Sequence, residues 1–327
     1  MSSTAPDGQV VADAAREGTP PNHPGRRRRR TDRARAEARL GWMLAGPAFV
    51  IMLAVTVYPI VQAFIDSLFS YRLTDPEARE FVGLANYGVV LSDVQFWISM
   101  LVTVFITVVT VLLELVLGFA LAMVMHRAIR QLRGMLRTAI LIPYGIITVV
   151  SAFAWFYAFD INSGYVNNWL SWIPGFNEDL NWFAGTGTSL FVIIASEVWK
   201  TTPFISLLLL AGLAQVSGDY EEAAKVDGAK PWQVLRKVIL PNMKAAIMVA
   251  VLFRALDAFR IFDNIFIMTG GANNTRALSL LAYNTSIGRL EIGMGSAISV
   301  LLFLCVIGIA IGTVKGFKVD LARTGGQ

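Results

Sequence analysis

Long apolar stretches separated by shorter polar ones dominate this chain. They run approximately from Gly41 to Phe69, Phe96 to Met125, Met135 to Phe159, Ser189 to Val216, Asn242 to Thr269 and Gly293 to Phe317. Each is long enough for a helix to cross the hydrocarbon core of a bilayer, which takes roughly 20 residues. Lipid offers the backbone no hydrogen bonds, so such stretches must be helices that pair their peptide groups internally. The pattern predicts an all-α, polytopic membrane protein with six transmembrane helices. Pro59, Pro143 and Pro203 fall inside the stretches and predict kinks, which membrane helices tolerate.

Composition agrees. Of 327 residues, 55% are hydrophobic and only 16% charged, against about 25% charged in a soluble domain. Residues 1–40 lack periodicity and read as a disordered, basic cytoplasmic tail; 41–318 read as the membrane domain and 319–327 as a second tail. An export signal at the front is disfavoured, because the first apolar block is too long for a signal h-region.

The net charge of +5 is concentrated. Arg26–Arg30 is unbroken, with Arg33, Arg35 and Arg39 behind it. A basic run can contact nucleic acid, but directly before a membrane-length block it reads as a positive-inside anchor, so no nucleic-acid partner is expected. Arg127, Arg130, Arg133 and Arg137 fill the second connection, Lys225, Lys230, Arg236 and Lys237 the fourth, and Lys315, Lys318 and Arg323 follow the last block, while Asp160–Thr188 holds neither Lys nor Arg. The asymmetry predicts a plasma-membrane protein with both termini in the cytoplasm. Trp169, Trp172 and Trp182 in the neutral outer segment read as an aromatic belt or a docking surface.

Several chemistries are not expected. Cys305 is alone and His23 and His126 are far apart, so no disulfide within the chain and no metal site is predicted. No Gly-x-x-x-x-Gly-Lys-Ser/Thr phosphate loop occurs, so ATP is not bound by the usual nest. Glu114 stands alone in the second block, a candidate proton site or a hydrogen-bond partner for a neighbouring helix. No nucleophile–base pair appears, so no catalytic residue is assigned.

The connection from Gly218 to Pro241 is long and patterned. Asp219 can cap a helix and Glu222 can reach back to it, a capping box. Asp227-Gly228 ends that helix, and Pro231 suits the first turn of a second. Trp232, Leu235 and Ile239 recur at helical spacing and give it an apolar face. Two short helices standing off a membrane domain either lie on the inner leaflet or fit a socket on a partner protein.

Here the residues carry a resemblance. Glu222-Ala223-Ala224, then Gly228, Val238 and Leu240-Pro241, resemble the signature loop of permeases in binding-protein-dependent ABC importers, with Val238 where the family usually has Ile. Phe81-Val82-Gly83-Leu84-Ala85-Asn86-Tyr87, Leu141-Ile142-Pro143, Val198-Trp199, Pro203-Phe204, Asp257-Ala258-Phe259-Arg260 and Thr269-Gly270-Gly271 are similar to sugar permeases of that family. The resemblance covers about Gly41 to Lys318 and is strongest to the trehalose importers of mycobacteria. It implies a type I importer permease that works by alternating access. Its partners would be a second homologous permease, two cytoplasmic ABC ATPase subunits that use ATP and Mg, and an extracellular solute-binding lipoprotein. No cofactor would be bound by this chain itself. Glu221, Glu222, Ala223, Ala224, Asp227, Gly228, Leu240 and Pro241 would couple it to the ATPase. The solute would be a disaccharide, with trehalose the first choice and other oligosaccharides or glycerol phosphate the alternatives.

Ionisable residues in lipid mark a pathway or a buried network. Arg254, Asp257, Arg260 and Asp263 recur every third residue with alternating sign, and neighbours at this spacing meet on a helix. Glu197 and Lys200 reach similar depth from the fourth span, predicting Glu197–Arg254 and Lys200–Asp257 pairs. The signs balance, which favours a neutral solute. The resemblance additionally implies solute contacts at Thr201, Phe204, Asp257 and Arg260. Gly308, Gly312 and Gly316 form a close-packing face, directed at the partner permease or at another helix of this chain.

Overall fold

A computed structural model describes residues 32–317 except Ile129, Arg130 and Leu132, and side chains from Arg39 onward apart from that of Arg133. Residues 1–31 and 318–327, with Arg26–Arg30, Lys318 and Arg323, lie outside the described residues, whereas Arg33 and Arg35, expected in the tail, fall within the first helix. The chain divides into two units, residues 1–58 and 59–327. Helix α1 (Asp32–Asp66) runs through the boundary. Within the first unit its Trp42, Leu44, Val50 and Ile51 are exposed, which suits a helix surrounded by lipid.

The second unit opens with a hairpin absent from the sequence expectations. Strands β1 (Phe69–Arg72) and β2 (Asp75–Phe81) pair antiparallel, Phe69 opposite Phe81. Asn86 Nδ2 donates to the carbonyls of Ser67 and Phe69 at 2.8 and 2.9 Å, and Arg79 pairs with Asp66 at 2.8 Å. Helix α2 (Ala85–Ser92) leads to α3 (Val94–Arg127), whose N-cap Asp93 accepts from the Gln95 amide at 2.9 Å.

Next come α4 (Arg133–Gly145), α5 (Thr148–Phe159), α6 (Val166–Leu170) and α7 (Thr186–Leu213). The hairpin region holds α8 (Gly218–Val226), α9 (Pro231–Val234), a π-turn at Leu235–Ile239 and α10 (Leu240–Asn242). The chain then forms α11 (Lys244–Ala258), α12 (Asp263–Met268), α13 (Leu278–Tyr283), a π-turn at Asn284–Gly288 and α14 (Ile292–Phe317).

Four described helices are long and apolar enough to cross a membrane, lying in α1, α3, α7 and α14, and α4 with α5 makes a fifth if a pair bent by 85° counts as one span. The third block is thus a broken helix rather than a kinked one. Pro143 has no N–H to give its turn, and Ile147 is extended. The fifth block is also interrupted, α11 stopping at Ala258 and α12 starting at Asp263. The alternating stripe is therefore not on one helix face: Arg260 and Asp263 lie beyond the end of α11.

Two of the core clusters of the second unit are built on α3 and α7. Ile106 of α3, Val192 and Ile193 of α7, Ile265 of α12 and Trp182 form one cluster. Met125 of α3, Ile205 and Leu209 of α7, Val234, Ile239 and Met243 form the other. Helices α3 and α7 approach closely at Gly118, where a Cβ would stand 2.7 Å from Ile205 Cγ2 and 3.3 Å from the Ser206 amide nitrogen. Trp182 departs from the interfacial expectation: it is buried and its Nε1 donates to Asn167 Oδ1 at 2.7 Å, whereas Trp169 and Trp172 are exposed. At Gly308, Gly312 and Gly316 a Cβ would meet nothing within 4 Å, so no described part of this chain packs on that face.

Candidate functional site

Two places carry function-bearing chemistry. The first is the hairpin between α7 and α11. Ser217 is the N-cap of α8, its hydroxyl accepting from the Asp219 amide at 3.3 Å. The predicted Asp219–Glu222 capping box is therefore not formed. Helix α8 starts earlier, at Gly218, and Asp219 and Glu221 occupy its first turn, where negative charge complements the unpaired amides. Gly228 ends α8 as expected. Its φ is +77°, and the Ala229 amide donates back to the Ala224 carbonyl at 2.9 Å. Pro231 opens α9, and Gln233 Oε1 accepts from the Lys230 amide at 2.8 Å.

The apolar face of the second half also differs. Val234 and Ile239 are buried, whereas Trp232 is 64% exposed. The π-turn at Leu235–Ile239 inserts an extra residue into the helical repeat and shifts the face by that amount. The hairpin is thereby seated in the core cluster that holds Ile205 and Leu209, while Tyr220, Val226 and Trp232 stay exposed. Glu221, Lys225 and Trp232, with Met123, His126 and Arg127 of α3, line a cavity of about 900 Å³. Apolar groups exposed beside charged ones on a short rigid hairpin suit contact with another protein.

The second place is a buried polar cluster where α3, α7, α11 and α12 meet. Arg254 of α11 is 1% exposed and gives a hydrogen bond from each guanidinium nitrogen: Nε to Glu114 Oε2, Nη2 to Glu197 Oε1 at 2.8 Å, and Nη1 to Asp257 Oδ2 at 2.8 Å. The Thr201 hydroxyl lies 2.6 Å from Glu114 Oε1 and 2.7 Å from the Glu197 carbonyl. Asn264 Nδ2 donates to Glu197 Oε2 at 2.6 Å. Charges this deep persist only when paired and hydrogen-bonded.

The expected Glu197–Arg254 pair is present. The Lys200–Asp257 pair is not, since Asp257 is held by Arg254 and Lys200 Nζ instead lies 5.8 Å from the Tyr144 ring centroid. Glu114, expected as a proton site or as a hydrogen-bond partner of a neighbouring helix, is the latter, bonding Thr201 and Arg254. Asn264 was missed altogether. Three carboxylates gather on one guanidinium, so the signs in the cluster do not balance. Exposure separates roles. Arg254, Glu114, Glu197 and Thr201 are buried, whereas the Asp257 side chain is 65% exposed and Arg260 is exposed, with its Nε donating to the Leu256 carbonyl at 3.2 Å. Phe204 is half-buried and stacks on Tyr144, ring centroids 5.4 Å apart. Among the described residues no group of His, Cys, Asp and Glu has the arrangement of a metal site.

Residues 94–315 match the family described as binding-protein-dependent transport system inner membrane component. The chain belongs to that family. It is a transport component of the inner membrane, not an enzyme. The permease is 49% identical over 298 residues to a trehalose transport system permease protein of Mycobacterium tuberculosis, covering 91% of this chain and 94% of that one. It is 38% identical over 282 residues to a trehalose/maltose transport system permease protein of Thermococcus litoralis, covering 85% and 94%. Its fold resembles that of a bacterial alginate ABC transporter crystallised with an alginate-pentasaccharide-bound periplasmic protein, with a TM-score of 0.75 at 18% identity over 88% of this chain and 97% of that one. The matched region contains both the hairpin and the buried cluster.

Proposed function

We propose that this permease imports a neutral disaccharide, trehalose in the first instance, as one of two permease subunits in an ATP-driven importer. The observation that carries this reading is the 49% identity to a trehalose permease across 91% of the chain. In this reading an extracellular binding protein delivers the sugar. Two cytoplasmic ABC subunits hydrolyse ATP with Mg, and both termini of this chain are cytoplasmic.

The mechanism divides between the two places. ATPase closure pushes on α8–α10. Because Val234, Ile239 and Met243 share a core cluster with Ile205 and Leu209 of α7 and Met125 of α3, displacement of the hairpin loads those helices directly. The helices then alternate between inward- and outward-facing arrangements. Asp257 and Arg260 offer hydrogen bonds to sugar hydroxyls, and Phe204 with Tyr144 offers an apolar face. Arg254, Glu114, Glu197 and Thr201 hold Asp257 and the helix break in place from behind. A proton-coupled carrier built on Glu114 is disfavoured, since both of its oxygens are engaged by Arg254 and Thr201.

The test is uptake by the complex copurified with the tagged chain and reconstituted in vesicles. ATP-dependent accumulation of labelled trehalose supports the reading. Accumulation driven by a proton gradient without ATP would overturn the class, and ATP-driven accumulation of glycerol phosphate in place of trehalose would overturn the solute.

A further inference from the structure

A small polar pocket of about 240 Å³ lies where the start of α3 meets the α12–α13 connection and the second π-turn, and it belongs to neither place above. Arg276 and Arg289 line it together with Asp93, Gln95 and Thr285. Neither guanidinium has a carboxylate within 4.0 Å among the described residues. Arg276 Nε is buried with no hydrogen-bond partner, an arrangement that costs free energy unless something completes it. Asp93 does not complete it: its Oδ1 caps α3 through the Gln95 amide, and neither of its oxygens lies within 4.0 Å of either guanidinium. Arg276 lies close against Gly271, whose φ is +82°: a Cβ there would stand 3.2 Å from Nε and 3.0 Å from Leu280 Cδ2.

We infer that this pocket receives an acidic side chain from the solute-binding protein, held between the Arg276 and Arg289 guanidinium groups. The inference rests on the importer reading, which puts this end of α3, α13 and α14 on the outer face of the membrane. Three features favour a protein carboxylate. A guanidinium's planar fork matches a carboxylate's geometry, and two of them line this one pocket. The apolar floor of Val90, Phe96, Leu281 and Ile298 suits the short methylene stem of Asp or Glu. The family is defined by dependence on a binding protein, so such a partner visits this face. A charge pair at such a contact speeds docking and fixes its register more than it deepens affinity.

The experiment uses the intact complex and the solute-binding protein that stimulates the wild-type ATPase. Its half-saturating concentration is compared for wild type, Arg289→Glu and Arg276→Gln, in phosphatidylcholine vesicles with and without phosphatidylglycerol. The expected result is a rise of roughly tenfold or more for both variants in both lipids, largest at low salt, with ATPase partners still copurifying. Replacing one acidic residue of the binding protein with Lys should restore Arg289→Glu. Unchanged half-saturation in both variants overturns the inference, and a defect confined to vesicles containing phosphatidylglycerol overturns it in favour of a lipid headgroup. If no solute-binding protein stimulates even the wild-type complex, the importer reading fails instead.

Discussion

Arg254 of α11 and Glu197 of α7, 57 positions apart in sequence, pair at 2.8 Å, with the arginine 1% exposed. This contact ties the helix that follows the α8–α10 hairpin to the helix that precedes it. In the proposed mechanism, motion imposed on the hairpin would be shared between α7 and α11 through this buried cluster.

Removing Arg254 should be severely destabilising. Arg254→Ala leaves Glu114 and Glu197 buried without their shared partner, a loss of about 3–5 kcal/mol. Arg254→Lys should rescue little, because one ammonium cannot present three donors in the guanidinium's planar arrangement. The triple variant Arg254→Met, Glu114→Gln, Glu197→Gln should recover much of the loss. Thermal unfolding of the purified complex in detergent reads all three.

Gly228→Val should uncouple transport without preventing membrane insertion. A residue at φ +77° is unfavourable for any side chain and costs about 1–2 kcal/mol. A β-branched one disturbs the α8–α9 corner most. Expected are normal yield of the permease and loss of sugar-stimulated ATPase activity.

The cap of α8 distinguishes the structure from the sequence expectation. Ser217→Ala should weaken α8 by about 1 kcal/mol and lower coupling measurably. Glu222→Ala should leave α8 intact, since no capping box is formed. Hydrogen exchange of the α8 amides separates the two.

Asp160 gives a pH-dependent prediction outside the membrane spans. Its carboxylate accepts from the Ser163 amide at 2.8 Å, the Ser163 hydroxyl at 2.9 Å and the Asn162 amide at 2.9 Å, which hold its pKa below the usual carboxylate value. The folded value is depressed, so the loop's stabilisation is present above the unfolded carboxylate value, about 3.9, and is lost as pH falls through the folded one. Asp160→Asn should loosen residues 161–164 at neutral pH and remove the acid step, as read by amide protection in that loop.

How much of this was legible in the sequence varied with the range of the interaction. Membrane-length blocks identified α1, α3, α7 and α14 because crossing lipid is a local requirement on length and polarity. The hairpin's Gly228 and Pro231 were equally legible, since left-handed φ and a missing N–H act at one residue. The breaks in the third and fifth blocks were not, because apolar runs read the same whether the helix within continues or turns. That Glu114 bonds to a neighbouring helix was legible as one of two readings, but its partner was not, since Arg254 lies 140 residues away. Its single carboxylate in an otherwise apolar span was the available signal, but periodicity within one helix cannot name a partner on another. The same limit left Asn264 unnoticed and assigned Asp257 to Lys200.

The central claim is that the hairpin α8–α10 drives import by coupling ATP hydrolysis on other chains to these helices. The most direct measurement is labelled trehalose uptake in vesicles holding the full complex, with wild-type chain or Gly228→Val, in the presence of ATP and binding protein. The account predicts ATP-dependent uptake by wild type and none by the variant, although ATPase subunits still copurify with it. Equal uptake by the two would contradict it.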